Sequence, residues 1–161
     1  MTDTALIMGW WSHELADRNS GAARALAARL RRAGPVDALA EYAVQDLAHK
    51  LDLRREGDGT RLSRLVRLLA EVREHSRDPL PRRLGGSAPV LSALRFQRLM
   101  RADDDELIDA LRRAIIMADR TCNVAALADN LLYWSDRVKT RWCFEYYGET
   151  APSMNPSEAE A

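Results

Sequence analysis

The chain has 161 residues, 47% of them hydrophobic and 30% charged, and its formal net charge at pH 7 is zero. That bounds it to one domain or two small ones with a real core, in the composition range of soluble globular proteins. No apolar run approaches the roughly 20 residues a bilayer-spanning helix needs, and a neutral total excludes binding to polyanions through overall charge alone.

Nearly everything reads as helix. Runs rich in Ala, Leu, Arg and Glu alternate with short Gly, Pro or Asp breaks, and no stretch sustains a period of two. The first predicted helix runs from about Thr4 to Asp17, and the second from Ser20 to Ala33, stopped by Gly34-Pro35. A third covers Val36 to Leu53, and Glu56-Gly57-Asp58-Gly59 reads as a turn. The fourth, Thr60 to His75, carries Leu62, Leu65, Val66, Leu69 and Val72 on one face. Arg77 to Pro89 holds three prolines and two glycines and is expected to be a loop. A helix from Val90 to Arg101 follows. Asp103 is expected as the N-cap of the next helix, with Glu106 at N3 in a capping box. That helix, Asp105 to Ala118, packs through Leu107, Leu111, Ile115 and Ala118. A single long helix from Val124 to Tyr147 closes the pattern, with Leu127, Leu131, Trp134, Val138 and Trp142 as its core seam. The expected fold class is all-α without a sheet. Its helical bundle has two packed halves, 1–76 and 90–147, joined through 77–89 and followed by a disordered acidic tail at 148–161.

The residues for catalysis do not assemble in sequence. His13, His49 and His75 are scattered, and none pairs with another at metal-ligand spacing. The string HELAD begins like a zinc-protease helix, but Asp17 stands where the second histidine is required. No glycine pattern forms a phosphate loop, and although Ser12 precedes His13 and Ser76 follows His75, nothing in the sequence points to a nucleophile–base triad. The acids at 103–106 are explained by helix capping and the macrodipole rather than by a divalent metal. No enzyme activity, metal, cofactor or small-molecule substrate is therefore expected. Cys122 and Cys143 read as buried thiols in a reducing compartment. The N-terminal MTDTALIMGWWSHEL has no cationic leader and no small-residue cleavage site, so the expected location is cytoplasmic. Trp10, Trp11, Trp134, Trp142, Phe96 and Tyr133 read as core rather than base-stacking platforms. The adjacent Trp10 and Trp11 cannot both face one core by this reading, which leaves one of them for a subunit contact.

What the sequence does concentrate is arginine. Residues 18–101 carry 18 Arg or Lys against 9 Asp or Glu, whereas 102–161 carry 6 against 12, and 22 of the 24 cations are Arg. In LRFQRLMRADDDELIDALRRAI, Arg95, Arg98 and Arg101 share a helical stripe opposite Phe96, Leu99 and Met100. Arg113 and Arg120 face away from the apolar stripe of the following helix, and Arg112 flanks it. A packed back with a cationic front presents planar donor forks to phosphate oxygens.

The string RFQRLMRADDDELIDALRRAI, followed by LLYWSDRVKTRWCFEYY, resembles the small subunit of the type I-E CRISPR Cascade complex, the CasB family. The tryptophan helix leading into SGAARALAARLRR, the mid-chain helix ending near His75 and the loop PLPRRLGG are similar in order, from about Leu6 to Tyr147. The resemblance implies an all-helical, non-catalytic Cascade subunit in antiviral defence, whose partners are other Cascade subunits, crRNA and target DNA, and a second copy of itself. It implies basic contacts to the crRNA–target duplex and the displaced strand of the R-loop. The positions matching the family's basic residues are Arg24 or Arg29, then Arg95, Arg98, Arg101, Arg112, Arg113, Arg137, Lys139 and Arg141. The acidic run after Arg101 and the loop arginines Arg82 and Arg83 depart from the pattern. Two other readings compete: a helical DNA-binding regulator, which would need base-reading Asn, Gln or Ser beside its arginines, and a purely architectural helical subunit.

Overall fold

The computed structural model describes residues 2–148. Among them are ten α-helices: α1 (Asp3–Trp11), α2 (Gly21–Arg32), α3 (Pro35–Leu39), α4 (Tyr42–Leu51), α5 (Gly59–Leu69), α6 (Leu80–Leu84), α7 (Ala93–Arg101), α8 (Asp104–Met117), α9 (Val124–Leu132) and α10 (Asp136–Tyr147). A π-helical segment, Ser12–Ala16, extends α1, and a 3-10 turn, Glu56–Asp58, precedes α5. The expected acidic tail lies, apart from Gly148, outside the described residues.

The predominantly helical class agrees with the sequence reading, but several boundaries do not. The third expected helix is broken between α3 and α4. Glu41 takes an extended conformation there, and the Gln45 side-chain amide donates to the Leu39 carbonyl at 2.8 Å, satisfying a helix end the periodicity had run through. The long final helix is likewise two helices. Ser135 adopts an extended conformation (φ −161°, ψ 172°) and its hydroxyl accepts from the Val138 amide, capping α10. Ser20, Ser92 and Asn123 cap α2, α7 and α9 in the same way. At α8 the expected box fails. Asp103 stands at the N-cap without a side-chain bond, and Asp104 has a left-handed φ of 50°, outside the helical geometry the box requires.

The expected absence of a sheet is also corrected. The fourth helix stops at Leu69, and two short strands, β1 (Glu74–His75) and β2 (Thr121–Cys122), pair in parallel with Glu74 opposite Thr121 and His75 opposite Cys122. The bridge is extended on both sides: the Arg73 amide donates to the Arg120 carbonyl and the Ser76 amide to the Cys122 carbonyl. His75 Nδ1 accepts from the Val124 amide, so the strand also serves the start of α9.

Segment 77–89, expected as loop, contains α6. Leu80, Pro81 and Leu84 are buried, and Pro81 sits in the first turn, where its missing N–H costs nothing. α10 packs on α6, while α1 and α5 both pack on α9 and α3 packs on α5, so helices from either side of 77–89 share one core. Trp10 and Trp11 are both buried, against the expectation for the pair. α1 is covered by α4 as well as α9, and the two indoles donate to the Ala43 and Val72 carbonyls at 2.8 and 3.3 Å.

Candidate nucleic-acid interface

The stripe on α7 forms as the helical spacing requires. Phe96 and Leu99 are buried, and Phe96 meets Tyr146 of α10 edge-on with ring centroids 4.0 Å apart; Arg95, Arg98 and Arg101 are exposed. Burying the apolar face against α10 is what fixes the direction of the arginines. Arg113 of α8 joins two of them: Arg95, Arg98 and Arg113 line a groove of about 340 Å³ between α7 and α8, with Leu91, Leu99, Ala110 and Met117 as its apolar part and Glu106 as its one acid. None of the three is ion-paired among the described residues. Three fixed cations against one carboxylate leave the groove with a cationic surplus.

Arg112 points elsewhere. Successive helical residues diverge by about 100°, and its Nε lies 3.3 Å from Oε1 of the buried Glu71, with Nη1 3.8 Å from Asp109 Oδ1. On α2, Arg24 is exposed and donates to the Arg18 carbonyl. Arg29 grips Glu41 with a two-point fork, Nε to Oε2 at 2.8 Å and Nη2 to Oε1 at 3.0 Å. That hydrogen bond raises the Arg29 pKa and lowers that of Glu41. On α10, Arg137 and Arg141 are exposed and one turn apart, and Lys139 is half-buried. Burial pushes the Glu145 carboxyl up, against the pull of Arg82 on α6 and Arg141 on α10.

Other arginines of the basic segment serve the fold. Arg64 donates from Nε and Nη2 to the Leu131 carbonyl at 3.0 and 2.6 Å, Arg83 donates to the Ala118 carbonyl, and Arg61 lies over the Tyr133 ring at 5.9 Å. Tyr133 is exposed, not core, and Trp134 is only partly buried. Missing from the sequence reading was Glu71, just 3% exposed and paired with both Arg112 and Arg120. The available signal was an acid flanked by Ala70 and Val72 at the end of an apolar run. Cys122 is buried, its thiol pushed up to about 12 by burial; Cys143 is exposed, correcting the expectation for that residue. Among the described residues no group of three or more His, Cys, Asp or Glu could hold a metal ion, and no helix is long and apolar enough to cross a membrane.

Comparison with known proteins gives a consistent family. Residues 25–147 match the family model for CRISPR-associated protein Cse2. The CRISPR-associated protein Cse2 of Thermus thermophilus is 39% identical over 69 residues, a match covering 41% of this chain and 40% of that relative's length. The fold superposes on a chain of the crystal structure of E. coli Cascade bound to a PAM-containing dsDNA target, with a TM-score of 0.62 and 19% identity, covering 88% of this chain and 91% of the other. With the family model spanning more than half of its length, this chain belongs to the CRISPR-associated Cse2 family, the CasB small-subunit family that its C-terminal strings resemble.

Proposed function

We propose that this chain is a non-catalytic subunit of a Cascade complex in CRISPR defence. It contacts crRNA, target DNA and the displaced strand of the R-loop through backbone phosphates, and works beside other Cascade subunits and a second copy of itself. Family membership and a fold shared with a chain of a DNA-bound Cascade support the assembly. The observation that carries the nucleic-acid contact is the groove between α7 and α8, where Arg95, Arg98 and Arg113 converge without ion-pair partners. A guanidinium that needs no partner for the fold is available to a phosphate; Arg29 and Arg112 would first have to leave Glu41 and Glu71. Arg101, Arg137, Lys139 and Arg141 extend the cationic surface, and Arg24 contributes from α2.

Arginine forks on phosphate oxygens position a strand without reading its sequence; in a guide-directed complex, base pairing supplies specificity. A neutral protein with a local basic groove binds weakly alone and gains from the effective concentration that neighbouring subunits provide. The test is the salt dependence of oligonucleotide binding by the Arg95→Gln/Arg98→Gln/Arg113→Gln protein. Each lost phosphate contact lowers the magnitude of the log–log salt slope by about 0.9 on duplex and about 0.7 on single strands. The loss should be alike across sequences, and an assembled Cascade carrying the variant should release its R-loop sooner. An unchanged slope together with an unchanged R-loop lifetime would make the groove a solvated surface and the chain an architectural subunit.

A further inference from the structure

The outer side of α10 carries an aromatic ring that the fold does not use. Phe144 is 76% exposed. Two residues along a helix from Trp142, it sits about 160° around the axis from that side chain, which with Val138 and Tyr146 makes up the buried side of α10. Tyr147, one turn further on, shows the contrast. Its ring is held by Phe96 and Tyr146, with centroids 6.5 and 5.0 Å away, whereas Phe144 meets no other ring among the described residues.

A single apolar residue on a surface needs no explanation. Phe144, however, shares its stripe with Arg137 and Arg141, seven and three residues before it. Both are exposed, and neither is ion-paired among the described residues. Thr140, beside them, has its hydroxyl turned back to the Asp136 carbonyl at 2.7 Å. By helical rise the two arginines are about 6 Å apart along the axis, and Arg141 is about 4.5 Å from Phe144. A strand laid along α10 can therefore set successive phosphates against the two guanidinium forks while a base reaches the ring.

The chemistry selects the occupant. An aromatic ring beside unpaired guanidiniums suits a base stacked on the ring and phosphates held next to it. In a duplex the base faces are covered by their neighbours in the stack, so only an unpaired strand can use the ring. An apolar protein surface would cover Phe144 as well, but it would also have to bring acids to meet Arg137 and Arg141. In an R-loop the guide is paired with the target strand, and the displaced DNA strand is the unpaired one.

We propose that Phe144 is a base-stacking contact for the displaced DNA strand, with Arg137 and Arg141 holding the phosphates next to the stacked nucleotide. This contact rests on the displaced-strand reading above and adds to it a grip on base faces, which phosphate-binding arginines do not supply. Because every base has a π-face, the ring holds the strand without reading its sequence.

The whole chain is titrated at low salt with a dT oligonucleotide and with an abasic oligonucleotide of equal length, which keeps the phosphates and lacks the bases. The parent protein should bind dT about fivefold or more tightly than the abasic strand, the gain from one base stacked on an aromatic ring. Phe144→Leu keeps an apolar side chain without a π-face. It should lose that preference and bind the abasic strand as the parent does, while Phe144→Trp should keep the preference. At so exposed a position both variants should melt with the parent, which their Tm values check. The Arg95→Gln/Arg98→Gln/Arg113→Gln protein should weaken on both strands alike and retain the preference, so the groove and the ring are read separately. Equal binding of the two strands by the parent overturns the stacking contact. So does a preference that survives in Phe144→Leu, or one that Phe144→Trp loses equally. A Phe144→Asp chain that no longer assembles into Cascade, while Phe144→Leu retains the dT preference, assigns the ring to a neighbouring subunit instead.

Discussion

Gly85 carries no side chain because α10 ends on top of it: a Cβ there would overlap the Tyr146 carbonyl, while the Gly86 amide donates to that same oxygen at 2.8 Å. Since the obstacle is backbone, it cannot swing aside. Gly85→Ala should therefore cost about 1–3 kcal/mol or more, the range for overpacking a filled site, read as a fall in the midpoint of chemical denaturation. Glu145 makes the opposite prediction. Its carboxyl is raised chiefly by burial, with Arg82 and Arg141 opposing. A carboxyl whose folded pKa lies above its unfolded one contributes stability below the ordinary value of 4.5, and that contribution is lost as pH rises through the folded value. Glu145→Gln should match the parent in acid and exceed it at pH 7; melting curves at both pH values check this, and a parent more stable at pH 7 would refute it. Neither residue was visible in sequence as special. Gly85-Gly86 reads as loop composition, and only the returning α10 gives Gly85 its steric role.

At the scale of elements, periodicity identifies where helix is, but not where it stops without Gly or Pro. The breaks at Glu41 and Ser135 interrupt seams that continue in phase across them, because α3 and α4, like α9 and α10, present apolar residues to one core. Their causes are side-chain capping bonds, which helical propensity does not weigh. The seam of the final helix therefore contains two unequal tryptophans. Trp142 is fully buried, with its Nε1 donating to Asn130 Oδ1 at 2.7 Å, whereas Trp134 lies in the inter-helix turn, partly exposed, meeting Trp142 edge-on at 5.0 Å. Trp142→Ala should cost about 3–5 kcal/mol, the range for emptying an aromatic core site. Trp134→Ala should cost clearly less, and Ser135→Ala about 1 kcal/mol through the lost cap. Urea denaturation of the three variants orders them, and equal costs at 134 and 142 would contradict the observed burial.

For the whole molecule, the basic middle of the chain is legible as charge but not as a surface. Sequence counts the arginines of 18–101 alike, whereas the fold divides them. Arg29, Arg61, Arg64 and Arg83 are spent on Glu41, Asp58 with the Tyr133 ring, the Leu131 carbonyl and the Ala118 carbonyl. Arg95 and Arg98 stay free on the groove between α7 and α8. The helical wheel could place Arg95 and Arg98 because they share a helix with the apolar face that orients them. It could not place Arg112 against Glu71, since that contact joins α8 to the chain beyond α5. Glu71 is thereby a tie across the molecule: it follows α5, Arg112 lies on α8, and Arg120 leads into β2. Glu71→Ala removes the one buried acid from a cationic junction and leaves two guanidiniums, each about a quarter exposed, without their partner. Because these heads can still reach water, the cost should fall near about 2–3 kcal/mol, below the full penalty for stranding a buried ion. Adding Arg120→Met to that variant should recover part of the loss, since it removes a repelling cation along with the unpaired one. If the double variant is less stable than Glu71→Ala alone, Arg120 holds the junction through its backbone contacts and packing, not through the carboxylate.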